Sequence, residues 1–140
     1  MINKIFKHFT QPKYITFLKY CIVGFSGIII NNGLLYVLTE YMTIFYIISS
    51  LISIEVSKIS NFILNDKWTF KNDKSKSLIN RFVLFEIISI GGVVLNLILL
   101  YVLVDEFKVY YIYANILLVP IILVWNYLLN RYITWSKKGD

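Results

Sequence analysis

NFILNDKWTF occupies Asn61–Phe70, and NYLLNRYITW occupies Asn126–Trp135. The two phrases stand 65 residues apart, and each holds two asparagines four positions apart. At that offset Phe17–Phe70 aligns with Phe82–Trp135 without a gap. Identical pairs include Phe17/Phe82, Ile22/Ile87, Gly27/Gly92, Asn31/Asn96, Tyr46/Tyr111 and Thr69/Thr134, and LLYVL at Leu34–Leu38 returns at Leu99–Leu103. Chance likeness of two apolar stretches would explain shared Leu and Ile. It would not place Gly, Asn and Tyr in register, so the pattern reads as an internal duplication.

The composition says where such a repeat resides. The chain is 58% hydrophobic with a mean hydropathy of +0.68, well above a typical soluble domain. Four apolar stretches, near Phe17–Leu38, Ile44–Leu64, Phe82–Val104 and Tyr110–Leu129, each approach the ~20 residues that carry a helix across a bilayer core. One such stretch could be a buried soluble helix, but four joined by short polar connections read as membrane spans. The expectation is an all-α membrane protein of four transmembrane helices in a single domain over residues 1–140. It is built from two tandem two-helix repeats, about 17–70 and 82–135, in the same orientation. No cleavage site of small residues follows the first apolar run, so a cleaved signal peptide is not expected.

Charge sets the expected topology. Lys4, Lys7, Lys13 and Lys19 precede or edge the first span. Lys67, Lys71, Lys74, Lys76 and Arg81 lie between the second and third, and Arg131, Lys137 and Lys138 follow the fourth. The other two connections hold Glu40, then Asp105, Glu106 and Lys108. Basic residues favour the cytoplasm, so both termini and the middle connection are expected inside a multi-pass protein of the cell membrane. The net charge of +6 then serves topology and contact with anionic membrane lipids; nucleic acid is not an expected partner. Trp68, Phe70, Tyr132 and Trp135 suit an aromatic belt at the inner surface.

The second span carries more polar residues than a lipid-facing helix needs. At ~100° per residue, Ser49, Ser53, Ser57 and Ser60 form one stripe that lets another helix approach. Lys58, Asn61 and Asn65 form the next, with Glu55 on its flank, while Ile48, Ile52, Val56, Ile59 and Ile63 face the other way, toward lipid. A charge at mid-membrane costs at least ~2.5–3.5 kcal/mol on insertion scales. Two readings stay open: a structural ion pair, Lys58 with Glu55 or with Glu86 of the third span, or a polar cavity open to the cytoplasm with Lys58 as an anion ligand. The paired amides Asn61/Asn65 and Asn126/Asn130 can cap a helix end, join a neighbouring helix or hold a polar headgroup. Asn31 and Asn96, deeper in the first and third spans, are expected to bridge helices. Gly24, Gly27, Gly91 and Gly92 are read as close helix contacts, and Pro120 as a kink relieved by Asn115.

Several chemistries find no support. Cys21 is the one cysteine, so the chain has no internal disulfide. His8 has no ligand partner at useful spacing, and no phosphate loop, metal motif or nucleophile elbow appears. A carboxylate pair of Glu55 and Glu86 would rest on burial alone. No cofactor and no enzymatic activity are expected.

FLKYCIVGFSGIIINNGLLYVL at Phe17–Leu38, followed by NFILNDKWTF and NYLLNRYITW, resembles the GtrA-like family of small four-helix bacterial membrane proteins over about Phe17–Trp135. Asp66 departs from the basic residue that the family usually has after the second asparagine, and Arg131 keeps it. The resemblance implies translocation of an undecaprenyl-phosphate-linked sugar to the outer leaflet, for glycosylation of a surface polysaccharide such as teichoic acid or O-antigen. Such a ligand has an anionic phosphate, a polar sugar and an apolar tail. Lys58, Glu55, Glu86, Arg131 and the asparagines would hold its head while the tail stays in lipid. Four helices are few for an enclosed path, so a homodimer, or a groove with the tail outside, is expected. The alternative is a non-transporting anchor or recruitment partner for a polyprenyl-phosphate glycosyltransferase.

Overall fold

A computed structural model describes residues 12–71 and 75–136. Lys4, Lys7, His8, Asp73, Lys74, Lys137, Lys138 and the side chain of Lys13 lie outside the described residues. Helix α1 spans Pro12–Tyr36, α2 Tyr46–Leu64, α3 Leu78–Tyr101 and α4 Tyr111–Leu129. Each runs on into a five-residue π-helical turn: Val37–Tyr41, Asn65–Thr69, Val102–Glu106 and Asn130–Thr134. The apolar spans Tyr14–Tyr41, Tyr46–Thr69, Leu78–Glu106 and Tyr111–Thr134, which include these turns, measure 28, 24, 29 and 24 residues, more than the ~20 that cross a bilayer core. The surplus accommodates tilt or reaches into the headgroup region.

The described residues fall into two compact units that divide between Lys71 and Asn72. Each is a helical hairpin, α1 with α2 and α3 with α4. The same local geometry recurs at the offset of 65. In both tips an i→i+5 bond closes the π turn, Met42 N–H to the Val37 carbonyl and Phe107 N–H to that of Val102, each 3.2 Å. The next residue crosses to positive φ, Thr43 at 53° and Lys108 at 54°. That crossing turns the chain back, and the amides of Ile44 and Val109 then reach the carbonyls of Leu38 and Leu103 at 3.0 and 2.9 Å. Phe45 and Tyr110 start the return helices from near-identical extended conformations.

Apolar side chains point outward in number, among them Ile22, Phe25, Leu51, Ile87, Val93 and Ile116. Ile48, Ile52, Val56, Ile59 and Ile63 are exposed as their stripe predicts. In lipid, outward apolar surface costs nothing, and helices associate through close packing and hydrogen bonds. The interior of each hairpin follows that rule. Ser49 and Ser53 are fully buried in the first hairpin, and Ala114 and Leu118 hold the same positions in the second. The hydroxyls of Ser49 and Ser53 return to backbone carbonyls of Ile44 and Ser50. That of Ser57 crosses to α1 and donates to the Gly27 carbonyl at 2.7 Å.

Two expectations need correction. Phe70 and Trp135 do not join an aromatic belt: each is 1% exposed. Phe70 meets Tyr20 edge-to-face at 6.2 Å and Trp135 meets Phe85 at 6.0 Å, because the π turn swings the chain back over the open end of its hairpin. Trp68 and Tyr132 do face outward. Among the glycines, Gly27 and Gly92 mark close contacts, whereas a methyl group on Gly24 or Gly91 would meet nothing within 4 Å. Pro120 lies inside the helix Tyr111–Leu129, and Asn115 is exposed.

Candidate functional site

The polar groups of the first hairpin lie along the α1–α2 seam and on α2 beside it. Lys58 Nζ sits 3.0 Å from Glu55 Oε1, one helical turn away. The Glu55 side chain is 60% exposed and that of Lys58 26%, so the pair lies on the helix surface. Pairing lowers the cost of carrying both charges through the apolar span. One turn toward the open end, the Asn61 amide packs on the bare Cα of Gly27, where a methyl group would lie 2.5 Å from its Oδ1. The small residue on α1 makes room for the amide on α2. Asn65 is buried, and its carbonyl accepts the Phe70 N–H at 2.8 Å to start the inward turn. The Oδ1 atoms of Asn31, Asn61 and Asn65 and the Thr69 hydroxyl are buried without a hydrogen-bond partner among the described residues. Asp66 is also buried.

The second hairpin repeats the frame with different chemistry. Asn126 packs on Gly92, where a methyl group would stand 2.6 Å from Oδ1. The Asn130 side-chain oxygen, fully buried, accepts a hydrogen bond from Thr134 Oγ1 at 2.9 Å, a bond the first hairpin does not form between Asn65 and Thr69. Arg131 donates to the Tyr127 hydroxyl at 2.7 Å and its guanidinium lies 6.0 Å from the rings of Tyr127 and Tyr132. Glu86 and Asn96 are half-buried on α3.

Each hairpin also secures its open end with a cation. In the first, Lys19 Nζ lies 5.3 Å from the Trp68 ring centroid. In the second, Lys76 Nζ donates to the Ile133 carbonyl at 2.7 Å and to Ser136 Oγ at 2.6 Å. The Arg81 guanidinium in turn donates to the Lys76 carbonyl. A cation at the C-terminal end of a helix meets its dipole and its unmatched carbonyls. In the sequence Lys76 and Arg81 read only as topology signals. Tyr127 stands four residues before Arg131, a spacing that places the two side chains on one helix face. No group of three or more metal-ligating side chains occurs among the described residues.

Four helices long and apolar enough to span a bilayer, with amides and charges held within them, define a multi-pass membrane protein. Residues 19–135 match the family described as GtrA/DPMS, transmembrane domain, and the chain belongs to that family. It is also 33% identical over 118 residues to a dolichol-phosphate mannosyltransferase of Pyrococcus furiosus. The match covers 84% of this chain and 33% of that relative, so the chain spans about a third of the relative's length.

Proposed function

We propose that the chain carries a polyprenyl-phosphate-linked sugar, of the undecaprenyl type, across the cytoplasmic membrane for glycosylation of a surface polysaccharide such as teichoic acid or O-antigen. It does so with both termini inside and without catalysing the transfer itself. The observation that supports this reading is the first hairpin's set of groups within an apolar span: the Glu55–Lys58 pair, followed by the buried, unpartnered amide oxygens of Asn61 and Asn65. An uncompensated buried acceptor costs ~1–3 kcal/mol, and a headgroup's hydroxyls would relieve that cost. Lys58 would exchange Glu55 for the lipid phosphate, an anion that matches its charge. Glu86, Arg131, Asn31, Asn96, Asn126 and Asn130 would support the head. The membrane-bound tail would run along the apolar outer faces, in one chain or in a homodimer.

Liposomes containing the protein and a labelled undecaprenyl-phosphate-linked sugar test it directly. Transport is expected with the native chain, and Lys58→Gln is expected to lower it at least about tenfold, the loss of one charge-assisted contact, with unfolding unchanged. Normal transport by a stable Lys58→Gln protein would remove Lys58 from the site.

A second reading is favoured by the mannosyltransferase relative, two thirds of which lies outside the match. The same fold would serve there as the membrane seat of a polyprenyl-phosphate glycosyltransferase. A chain that fails to move the lipid in liposomes, yet co-purifies with such a transferase, would support this reading.

A further inference from the structure

At the tip of the first hairpin, opposite the end that holds Asn65, lies an open cavity of about 390 Å³. Asn32, Tyr36, Thr39 and Glu40 line it from α1 and its π turn, and Tyr46 and Ser50 line it from α2. The volume falls within the ~300–1,000 Å³ usual for small-molecule sites. Thr39 Oγ1 is buried without a hydrogen-bond partner among the described residues.

The second hairpin is an internal control for what the tip needs in order to fold. It has the same π turn and the same positive φ. It keeps Tyr101 and Tyr111 where the first has Tyr36 and Tyr46, and Asp105 where the first has Glu40. Yet Leu97 stands at the position of Asn32, and Val104 at that of Thr39. Valine has nearly threonine's shape without its hydroxyl. The tip therefore folds without the amide and without the hydroxyl; the Asn32 amide nitrogen donates to the Ile28 carbonyl at 2.8 Å, which leaves its oxygen for a ligand.

We infer that this groove binds the ring of a neutral sugar. A pyranose presents apolar C–H faces and hydroxyl edges. The rings of Tyr36 and Tyr46 match the faces, and Thr39, Asn32 and the Glu40 carboxylate match the edges. Glu40 accepts from hydroxyls and repels phosphate, so the groove takes the sugar rather than an anionic head. This inference stands apart from the transport reading, because binding at the tip requires neither Lys58 nor movement across the membrane.

The test uses the full chain in lipid nanodiscs, with methyl α-glucoside, methyl α-galactoside and methyl α-mannoside as probes and saturation-transfer NMR as the readout. At least one glycoside is expected to bind, and more tightly than the corresponding sugar 1-phosphate. Thr39→Val, which copies the second hairpin and so keeps the fold, is expected to weaken binding about threefold to tenfold, the value of one hydrogen bond. Val104→Thr and Lys58→Gln are expected to leave it unchanged. Absence of glycoside binding, equal binding by Thr39→Val, or tighter binding of the phosphorylated sugars would overturn the inference. Loss of transport in Lys58→Gln with glycoside binding intact would separate the two sites.

Discussion

The side-chain amide of Asn61 occupies the space that a β-carbon on Gly27 would need, 2.5 Å from where that carbon would stand to Oδ1. Asn126 and Gly92 repeat the relationship at 2.6 Å. The glycine and the asparagine are thus one device, kept twice because each hairpin closes on it. Gly27→Ala and Gly92→Ala should each destabilise by about 1–3 kcal/mol through overpacking. Gly24→Ala, with open space around it, should be neutral or gain up to about 1 kcal/mol of helix propensity. Unfolding in mixed micelles measures all three. If Gly24→Ala and Gly27→Ala behave alike, the amide does not fill that space.

Burial separates the four aromatic residues near the open ends into two kinds. Phe70→Ala and Trp135→Ala should cost about 3–5 kcal/mol each, because both side chains are closed inside their hairpins. Trp68→Ala and Tyr132→Ala face outward and should shift stability by less than about 1 kcal/mol. The same unfolding assay ranks them. A belt role for all four would instead give four similar, small losses.

Thr43 holds a positive φ of 53°, a region that branched side chains rarely enter. Asparagine tolerates it better. Thr43→Asn should therefore stabilise the first hairpin by up to about 1 kcal/mol, read as a higher melting temperature in detergent. The Thr43 hydroxyl donates to the Met42 carbonyl at 2.8 Å, and a drop in melting temperature would show that this bond outweighs the backbone gain.

The basic residues flanking the spans lead us to expect both termini inside. In a background with Cys21 replaced by serine, Asp73→Cys should resist an impermeant thiol reagent added to intact cells, and Glu106→Cys should react with it. The reverse labelling would invert the topology and carry the Lys58 site to the other face.

Four spans, their connections and the 65-residue period could be read directly, because hydropathy and repeat register are properties of the chain in one dimension. Helical periodicity also assigned the serine stripe inward and the isoleucine stripe outward, since a face of a regular helix follows from spacing alone. Periodicity loses its hold where the helix stops being regular. The π turns at Asn65–Thr69 and Asn130–Thr134 add a residue to the hydrogen-bonded loop and rotate the chain beyond them, so Phe70 and Trp135 end inside when a surface position was expected. Partner choice was equally hidden. Of four glycines at comparable positions, only the packing of α2 on α1 and of α4 on α3 selected Gly27 and Gly92. Spacing put Glu55 within reach of Lys58, and the side-chain geometry of α2 set the two 3.0 Å apart. Sequence alone determined which segments enter the membrane, because transfer from water to lipid depends on each segment's own composition. The tertiary structure decided which polar atoms meet one another there, because that depends on how closely two helices approach and which residue is small enough to let them.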